Sequence, residues 1–330
     1  MAERAGVSHG TVSHVLNHPE RVRADTRARV ETAIVELGFV RDEAARHLRA
    51  GYSRTIGLML LDAWNPSFME IARGVEELTA EGPWTVLMSN SARSSVREQR
   101  YLREYAARRV AGLIVIPNDH VDDLAGLQLR GDVPTVVVDR AEPDDSATMS
   151  VAVDDAAGGA AMAEHLTSLG HRHIAFVGDP AVQAPVHTRF AAFRQALQRV
   201  DGIELEVLPA PLTIEAGLEI GRELAGRPAS RRPTAVAAGV DLIAFGVLQS
   251  LLSHRVRVPE DISIVGYDDI PFTAQLSVPL TSVARPHHRM GLLAAELLLT
   301  VLEGEQPVQR HVVLPPDLIV RASTGVPVDR

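Results

Sequence analysis

From Thr55 onward, short apolar runs rich in β-branched residues alternate with longer stretches whose apolar positions recur every three or four residues. TIGLMLL leads into SFMEIARGVEELTAEG, WTVLMS leads into SVREQRYLREYAARR, and AGLIVIP closes the first series. The alternation resumes with TVVVD, DDAAGGAAMAEHLTSLG, HIAFVG, TRFAAFRQALQRV, IELEVL, IEAGLEIGRELAG, TAVAAG, VDLIAFGVLQSLL and ISIVGYD. Strands that are apolar throughout must be covered on both faces, so the pattern predicts an α/β protein with parallel sheets between layers of helices. Two sheets of about five or six strands accommodate it better than one very wide sheet. Ligands of such sheets bind beyond the carboxyl ends of the strands, which directs attention to the loops that follow them.

Before Thr55 the texture changes. RAGVSHGTVSHVLN and ADTRARVETAIVELGF read as helices with no strand between them, and EAARHLRAG as a short helical candidate ending at glycine. Ala5-Gly6-Val7 predicts a tight turn between two short helices, with Ser8 as the N-cap of the second. On that second helix Val12, Val15 and Leu16 are spaced for one buried face, leaving His9, Gly10, Ser13 and His14 outside. If the unit is a helix-turn-helix, the first residues of its second helix point at base edges in the major groove. His9, Gly10 and His14 are then candidates for sequence readout and Thr11, Ser13 and Asn17 for phosphate contacts, with Ser8 beside them. A small three-helix packing module with a polar surface fits the same residues.

Charge adds a modest bias. The chain carries −9 in total, yet residues 1–54 hold nine arginines against seven carboxylates, so the head is +2 and the remainder is −11. That asymmetry favours an anionic partner for the head. An apolar fraction of 46% with 23% charged residues excludes a disordered or fibrous chain. No segment approaches the roughly 18 apolar residues of a membrane span, and no basic stretch followed by an apolar run marks an export signal, so a cytoplasmic location is expected. The absence of cysteine removes disulfides, thiolate metal sites and cysteine nucleophiles. His171 with His173, and His287 with His288, lack a third ligand at a metal-site spacing, so no metal is expected. There is no G-x-G-x-x-G or Walker sequence, and no cofactor is expected. Gly6-Val7-Ser8-His9-Gly10 matches the nucleophile-elbow string, but that motif needs a strand before its serine and here a helix precedes it.

AGVSHGTVSHVLNHPERVRADTRARVETAIVELGF followed by AARHLRAGYSRTIGL resembles the N-terminal signature of the LacI/GalR family of repressors, and VPEDISIVGYDDIPFTAQLSVPLTSVARP extends the likeness almost to the C-terminus. The resemblance implies a helix-turn-helix head at 1–42, a hinge helix and linker at 43–54, and an effector-binding core at 55–330. It implies a core of two Rossmann-like subdomains like the type I periplasmic binding proteins, the first spanning about 55–150 plus 281–312 and the second about 151–280 plus 313–330. Operator DNA, a small-molecule effector and a second copy of the chain are the implied partners. Ala45 falls on the implied hinge helix, and Leu48 matches the leucine that wedges into the minor groove at the operator centre. Packing of Leu48 on its own body is the alternative. Arg41 and Asp42 depart from the family, which usually has proline and asparagine ahead of the hinge. The family's first helix also begins several residues before Met1, which stands where valine is frequent, so a longer native chain is expected. The terminal RASTGVPVDR has no apolar heptads, and a coiled-coil tetramer is not expected.

For the effector, Asp268 in VGYDD follows an apolar strand, where open α/β sheets place ligand groups, and the resemblance assigns it that role. Arg189 in TRFAAF matches the family arginine reaching into the same cleft. Together they suit a polyol, since a guanidinium donates to hydroxyl oxygens and a carboxylate accepts from their hydrogens. Asn65, Phe68, Asp139, Gln183 and Asp241 stand at positions the family uses to line the cleft, and Trp64 or Phe68 could stack on a sugar face. Each has a plain structural alternative: a helix cap for Asp241, the core for Phe68, a pair with Arg140 for Asp139. Val240, Leu212 and Pro185 replace residues that are more often polar or aromatic, predicting a less polar pocket. Two other readings fit the body alone: a solute-binding sensor without DNA binding, and an enzyme using Asp139 and Asp268 as a carboxylate pair. No enzymatic activity is expected.

Overall fold

The structure, a computed structural model, describes residues 1–39, 53–118, 133–143, 146, 148–181 and 184–328. The chain separates into two compact units, Met1–Ser53 and Arg54–Arg330.

In the first unit, helices α1 (Ala2–Ala5) and α2 (His9–Asn17) are followed by a single 3-10 turn at Pro19–Arg21 and by α3 (Ala24–Glu36). Gly6 ends α1 at φ 62°, a left-handed conformation that costs glycine little, and so allows the chain to turn within two residues. Ala2, Ala5, Val12, Val15, Val30 and Ala33 form the core, with Leu16 packed against it. The spacing of three between Val12 and Val15, and again between Val30 and Ala33, puts each pair on one helix face.

The second unit contains two parallel-dominated sheets. The first, in the spatial order β11-β5-β4-β3-β1-β2, uses β1 (Thr55–Leu60), β2 (Thr85–Asn90), β3 (Gly112–Val115), β4 (Thr135–Val138), β5 (Met149–Val153) and β11 (His311–Leu314). The second, ordered β12-β10-β9-β8-β6-β7, uses β6 (His173–Val177), β7 (Glu204–Leu208), β8 (Ala235–Ala238), β9 (Ser263–Asp268), β10 (Thr281–Ala284) and β12 (Asp317–Ile319). Among the described residues only β12 runs antiparallel, against β10. Interior strands β3, β4, β8 and β9 are buried throughout, whereas the edge strands β2 and β7 alternate with exposed positions. Helices α4 (Pro66–Ala80), α5 (Ser95–Ala107) and α10 (His287–Leu302) belong to the first subdomain, and α6 (Asp155–Ser168), α7 (Ala184–Leu197), α8 (Ile214–Gly226) and α9 (Asp241–Ser253) to the second. Packing of α4 on α10 is close enough that a Cβ at Gly74 would lie 2.1 Å from the His288 carbonyl oxygen, and one at Gly291 2.0 Å from that of Ile71.

The chain passes between the sheets after β5, after β10 and between β11 and β12. This corrects the subdomain limits expected from the sequence. Residues 281–284 pair with β9 and so belong to the second subdomain, while 151–153 and 313–314 lie in strands of the first. The C-terminal segment is pinned to the second subdomain by Ser323, which donates to the Ile264 carbonyl at 2.6 Å, and by His171, fully buried between Thr234 Oγ1 (2.9 Å) and the Gly325 carbonyl (3.0 Å).

Burial pushes the His171 imidazole down to about 4, so the folded state resists a proton that the unfolded chain accepts near 6.5. Between those values the unfolded state binds more protons, and stability is lost as pH falls from about 6.5 toward 4, by at most about 1.4 kcal/mol per pH unit from this residue. His287, also buried and held well below its ordinary value, adds to the same slope. Urea unfolding across this range is expected to show the loss, and His171→Gln to flatten it; an unchanged slope in the variant assigns the acid sensitivity elsewhere.

Candidate functional site

Two surfaces carry the residues singled out from the sequence. In the first unit, Ser8 is the N-cap of α2: its Oγ accepts from the Thr11 amide at 3.1 Å and lies 2.9 Å from Thr11 Oγ1. With α1 rather than a strand before it, Ser8 has none of the geometry of a nucleophile elbow. His9, Gly10 and His14 are exposed, and Thr11 and Ser13 are half-buried. The His14 ring is fixed by a contact between Nδ1 and the Gly10 carbonyl at 3.0 Å. Val12 and Val15 turn inward as expected, and of the four residues expected outside only Ser13 is drawn partly in. Asn17 closes the helix. Ala45, Leu48 and Gln183 lie outside the described residues.

In the second unit, loops at the carboxyl ends of strands from both sheets converge on a cavity of about 20 Å3. Asn65, Ser67, Phe68, Arg93, Asp139, Pro185, Val186, Arg189, Val240, Asp268 and Arg285 line it. An adjoining pocket of about 300 Å3 shares Asp139 and Pro185 with it and adds Arg140, Asp155 and Thr188. The inner cavity has room for about one water molecule.

Arg189, on α7, is 1% exposed and held by groups of the second subdomain through both terminal nitrogens. Its Nη2 donates to Asp155 at 2.8 Å, its Nη1 to the Gly239 carbonyl, and its guanidinium carbon sits 3.4 Å from the centre of the Tyr267 ring. Tyr267 Oη donates to the same Asp155 oxygen at 2.8 Å. Burial lowers the Arg189 pKa, but Asp155, Tyr267 and Asp268 outweigh it and hold the group above its ordinary value, so it is a permanent cation.

Asp268 ends β9 at φ 112° and Asp139 follows β4 at φ 70°, conformations that cost a non-glycine residue strain and are concentrated at binding sites. Arg285, at the crossing from β10 to α10, joins them. Its Nη2 contacts Asp139 of the first subdomain and its Nη1 lies 3.5 Å from Asp268 of the second. Burial pushes the Asp268 carboxyl up to about 7, with Arg189 opposing, and pulls Arg285 down to about 10.

Other candidates are placed differently. Asn65 caps α4, its Oδ1 accepting from the Ser67 amide at 3.0 Å. Phe68 presents to the cavity but also packs in the first core. Trp64 is 89% exposed and does not line this cavity. Asp139 pairs with Arg285, while Arg140 pairs with Glu142. Asp241, fully buried, turns away from the cavity: its oxygens accept from the Ile270 amide at 3.0 Å and from Ser282 Oγ at 2.7 Å. Leu212 is core, not lining. A less polar pocket was expected from Val240, Leu212 and Pro185, yet three arginines and two aspartates surround the cavity. Arg93, Asp155, Tyr267 and Arg285 were not among the residues expected from the sequence: the strands before Asp155 and Arg285 were not legible, while Arg93 and Tyr267 join the site only through contacts with distant residues.

Residues 1–42 match the model of bacterial regulatory proteins of the lacI family, and residues 163–324 match a periplasmic binding protein-like domain. The ribose operon repressor of Escherichia coli K12 is 32% identical over 329 residues, 98% of either chain. The chain belongs to the LacI family. The solved lac repressor dimer, bound to operator and an anti-inducer, is similar with a TM-score of 0.83 at 27% identity, over 98% of this chain and 97% of that one. A LacI family regulator from Enterococcus faecium with bound ribose is 29% identical with a TM-score of 0.71, over 82% of this chain and 99% of that one. The LacI family assignment makes the head a DNA-binding module and the core the receptor of a small-molecule effector: the protein is a DNA-binding transcription regulator. Among the described residues no helix is long and apolar enough to cross a membrane.

Proposed function

We propose that this regulator is a homodimeric repressor whose effector is a polyol, a sugar or a close relative, held between the two subdomains of the core. The observation that carries the reading is the convergence of Arg189 and Asp268 from the second subdomain, and Asp139 from the first, on one cavity at the carboxyl ends of the strands. Donor and acceptor side by side match the two-way hydrogen bonding of hydroxyl groups. Phe68 supplies an apolar wall and Asn65 shapes the loop that brings it there. The relative with bound ribose and the operator-bound repressor dimer support the ligand class and the assembly.

A cavity with room for one water does not admit a sugar ring, so binding parts the subdomains or displaces Arg285, the residue that ties Asp139 to Asp268. Either event changes the relation between the two sheets, and operator affinity follows it. On the DNA side, His9, Gly10 and His14 read bases, while Thr11, Ser13 and Asn17 hold phosphates, with the Ser8 cap fixing the helix end that approaches the groove.

Linkage provides the test. Whatever factor the effector imposes on operator affinity, operator must impose on effector affinity. Titrating one sugar with and without saturating operator is expected to give affinities that differ by the factor seen in the converse experiment, about 5–150-fold. Equal affinities contradict the regulatory reading, and effector binding without specific operator binding by the protein reduces it to a sensor.

A further inference from the structure

We infer that the effector is an acidic polyol, a sugar bearing a carboxylate, rather than a neutral sugar. The inference rests on the cleft being the effector site and concerns which ligand that site takes.

Three arginines from three separate segments line the one cavity: Arg93 after β2, Arg189 on α7 and Arg285 after β10. Each keeps one buried N–H without an acceptor among the described residues, Nη1 of Arg93 and Nε of Arg189 and Arg285. Their other faces are taken. Asp62 holds Arg93 Nε at 3.3 Å, Asp155 and the Gly239 carbonyl hold Arg189, and Asp139 and Asp268 hold Arg285. Both carboxylates of the lining thus share one guanidinium, each through its Oδ1. Asn65 spends its carbonyl on the Ser67 amide, and Phe68, Pro185, Val186 and Val240 offer no side-chain acceptor. Among the described residues, three cationic N–H donors of the lining are left without an acceptor.

A desolvated donor left unpaired is costly, and a ligand gains most by supplying what the site lacks. Each neutral sugar hydroxyl brings a hydrogen along with its oxygen, and that hydrogen competes with Arg285 for the lining carboxylates. A carboxylate brings two oxygens with about four lone-pair positions and no hydrogen, and its bonds to guanidinium are the strong, charge-assisted kind. With an acid bound to the arginines, Asp139 is released to accept from the ligand's hydroxyls. Burial acts in the same direction: it favours protonation of Asp268 near neutral pH, while Arg285 keeps its charge.

The test is calorimetric titration of the full chain with matched pairs: ribose and ribonate, glucose and gluconate, galactose and galacturonate, with adenine as a ligand of another class. At least one acid is expected to bind tenfold or more tighter than its neutral partner. Arg285→Gln is expected to cut that ratio tenfold, and an unchanged ratio in the variant removes Arg285 from the choice between acid and neutral sugar. The ratio is the readout, because a damaged cleft loses both members of a pair together. A neutral sugar that binds as tightly as its acid, or a panel in which no acid binds, overturns the inference; in the first case the polyol reading stands. Saturable binding of adenine alone overturns both.

Discussion

Arg189→Met is expected to abolish the response to effector and to destabilise the core by about 3–5 kcal/mol, the cost of leaving one partner of a buried ion pair behind. The second effect follows from packing. Arg189 is enclosed by Asp155, Tyr267 and the Gly239 carbonyl, so its removal leaves the Asp155 carboxylate facing a neutral side chain in a buried site. The first follows from chemistry, since the only cation that α7 brings to the cavity is gone. Urea unfolding and effector titration separate the two. Adding Asp155→Asn to Arg189→Met removes the orphaned charge yet keeps an acceptor for Tyr267, so the double variant is expected to regain most of the lost stability and none of the effector affinity. A single variant as stable as the parent shows that Asp155 does not depend on Arg189 for its charge. Recovery of effector binding in the double variant removes Arg189 from the site.

Gly10→Leu is expected to act in opposite directions on folding and on DNA. Gly10 is exposed in the first turn of α2, and a Cβ there meets only Ser8 Oγ, at 3.7 Å. The head therefore accepts a larger side chain, and exchanging glycine for leucine in a helix contributes up to about 0.8–1 kcal/mol in favour of the helix. If the opening of α2 enters the major groove, the same side chain occupies space that base edges and backbone need. Specific operator affinity is then expected to fall at least tenfold, about 1.4 kcal/mol, with most of the loss in specific rather than salt-driven binding. Anisotropy titrations of operator and of scrambled DNA across a salt series, with circular dichroism of the full chain as a folding control, measure both. Unchanged discrimination between the two DNAs places Gly10 outside the groove and favours the bland three-helix module.

The two substitutions probe roles that differ in how visible they were in the sequence. The head was visible because its information is local. Ser8, the Gly6 turn and the Val12–Val15 face are set by capping, by the backbone freedom of glycine and by helical spacing, all within a dozen residues. The succession of strands and helices from Thr55 was visible for the same reason, since interior strands of a parallel sheet are apolar throughout. Asp268 stood out because it ends such a strand.

Tertiary structure decided the rest. Strands β5, β10, β11 and β12 are three to five residues long and are the strands next to the chain crossings. The sheet that a strand joins is a matter of pairing between distant segments, so residues 281–284 could not be assigned from their own neighbourhood. The same limit hid Arg285, whose partner Asp139 is 146 positions away, and the Asp155–Arg189–Tyr267 cluster, gathered from α6, α7 and β9. Asp241 matched the sequence pattern of a ligand residue, and only the approach of Ile270 and Ser282 showed its oxygens already bound. Local physical chemistry determined which elements this chain forms and where ligand groups can lie. Which charges meet in the cleft depended on the order in which the strands are laid side by side, and that order is encoded by packing across the whole core rather than by any segment of it.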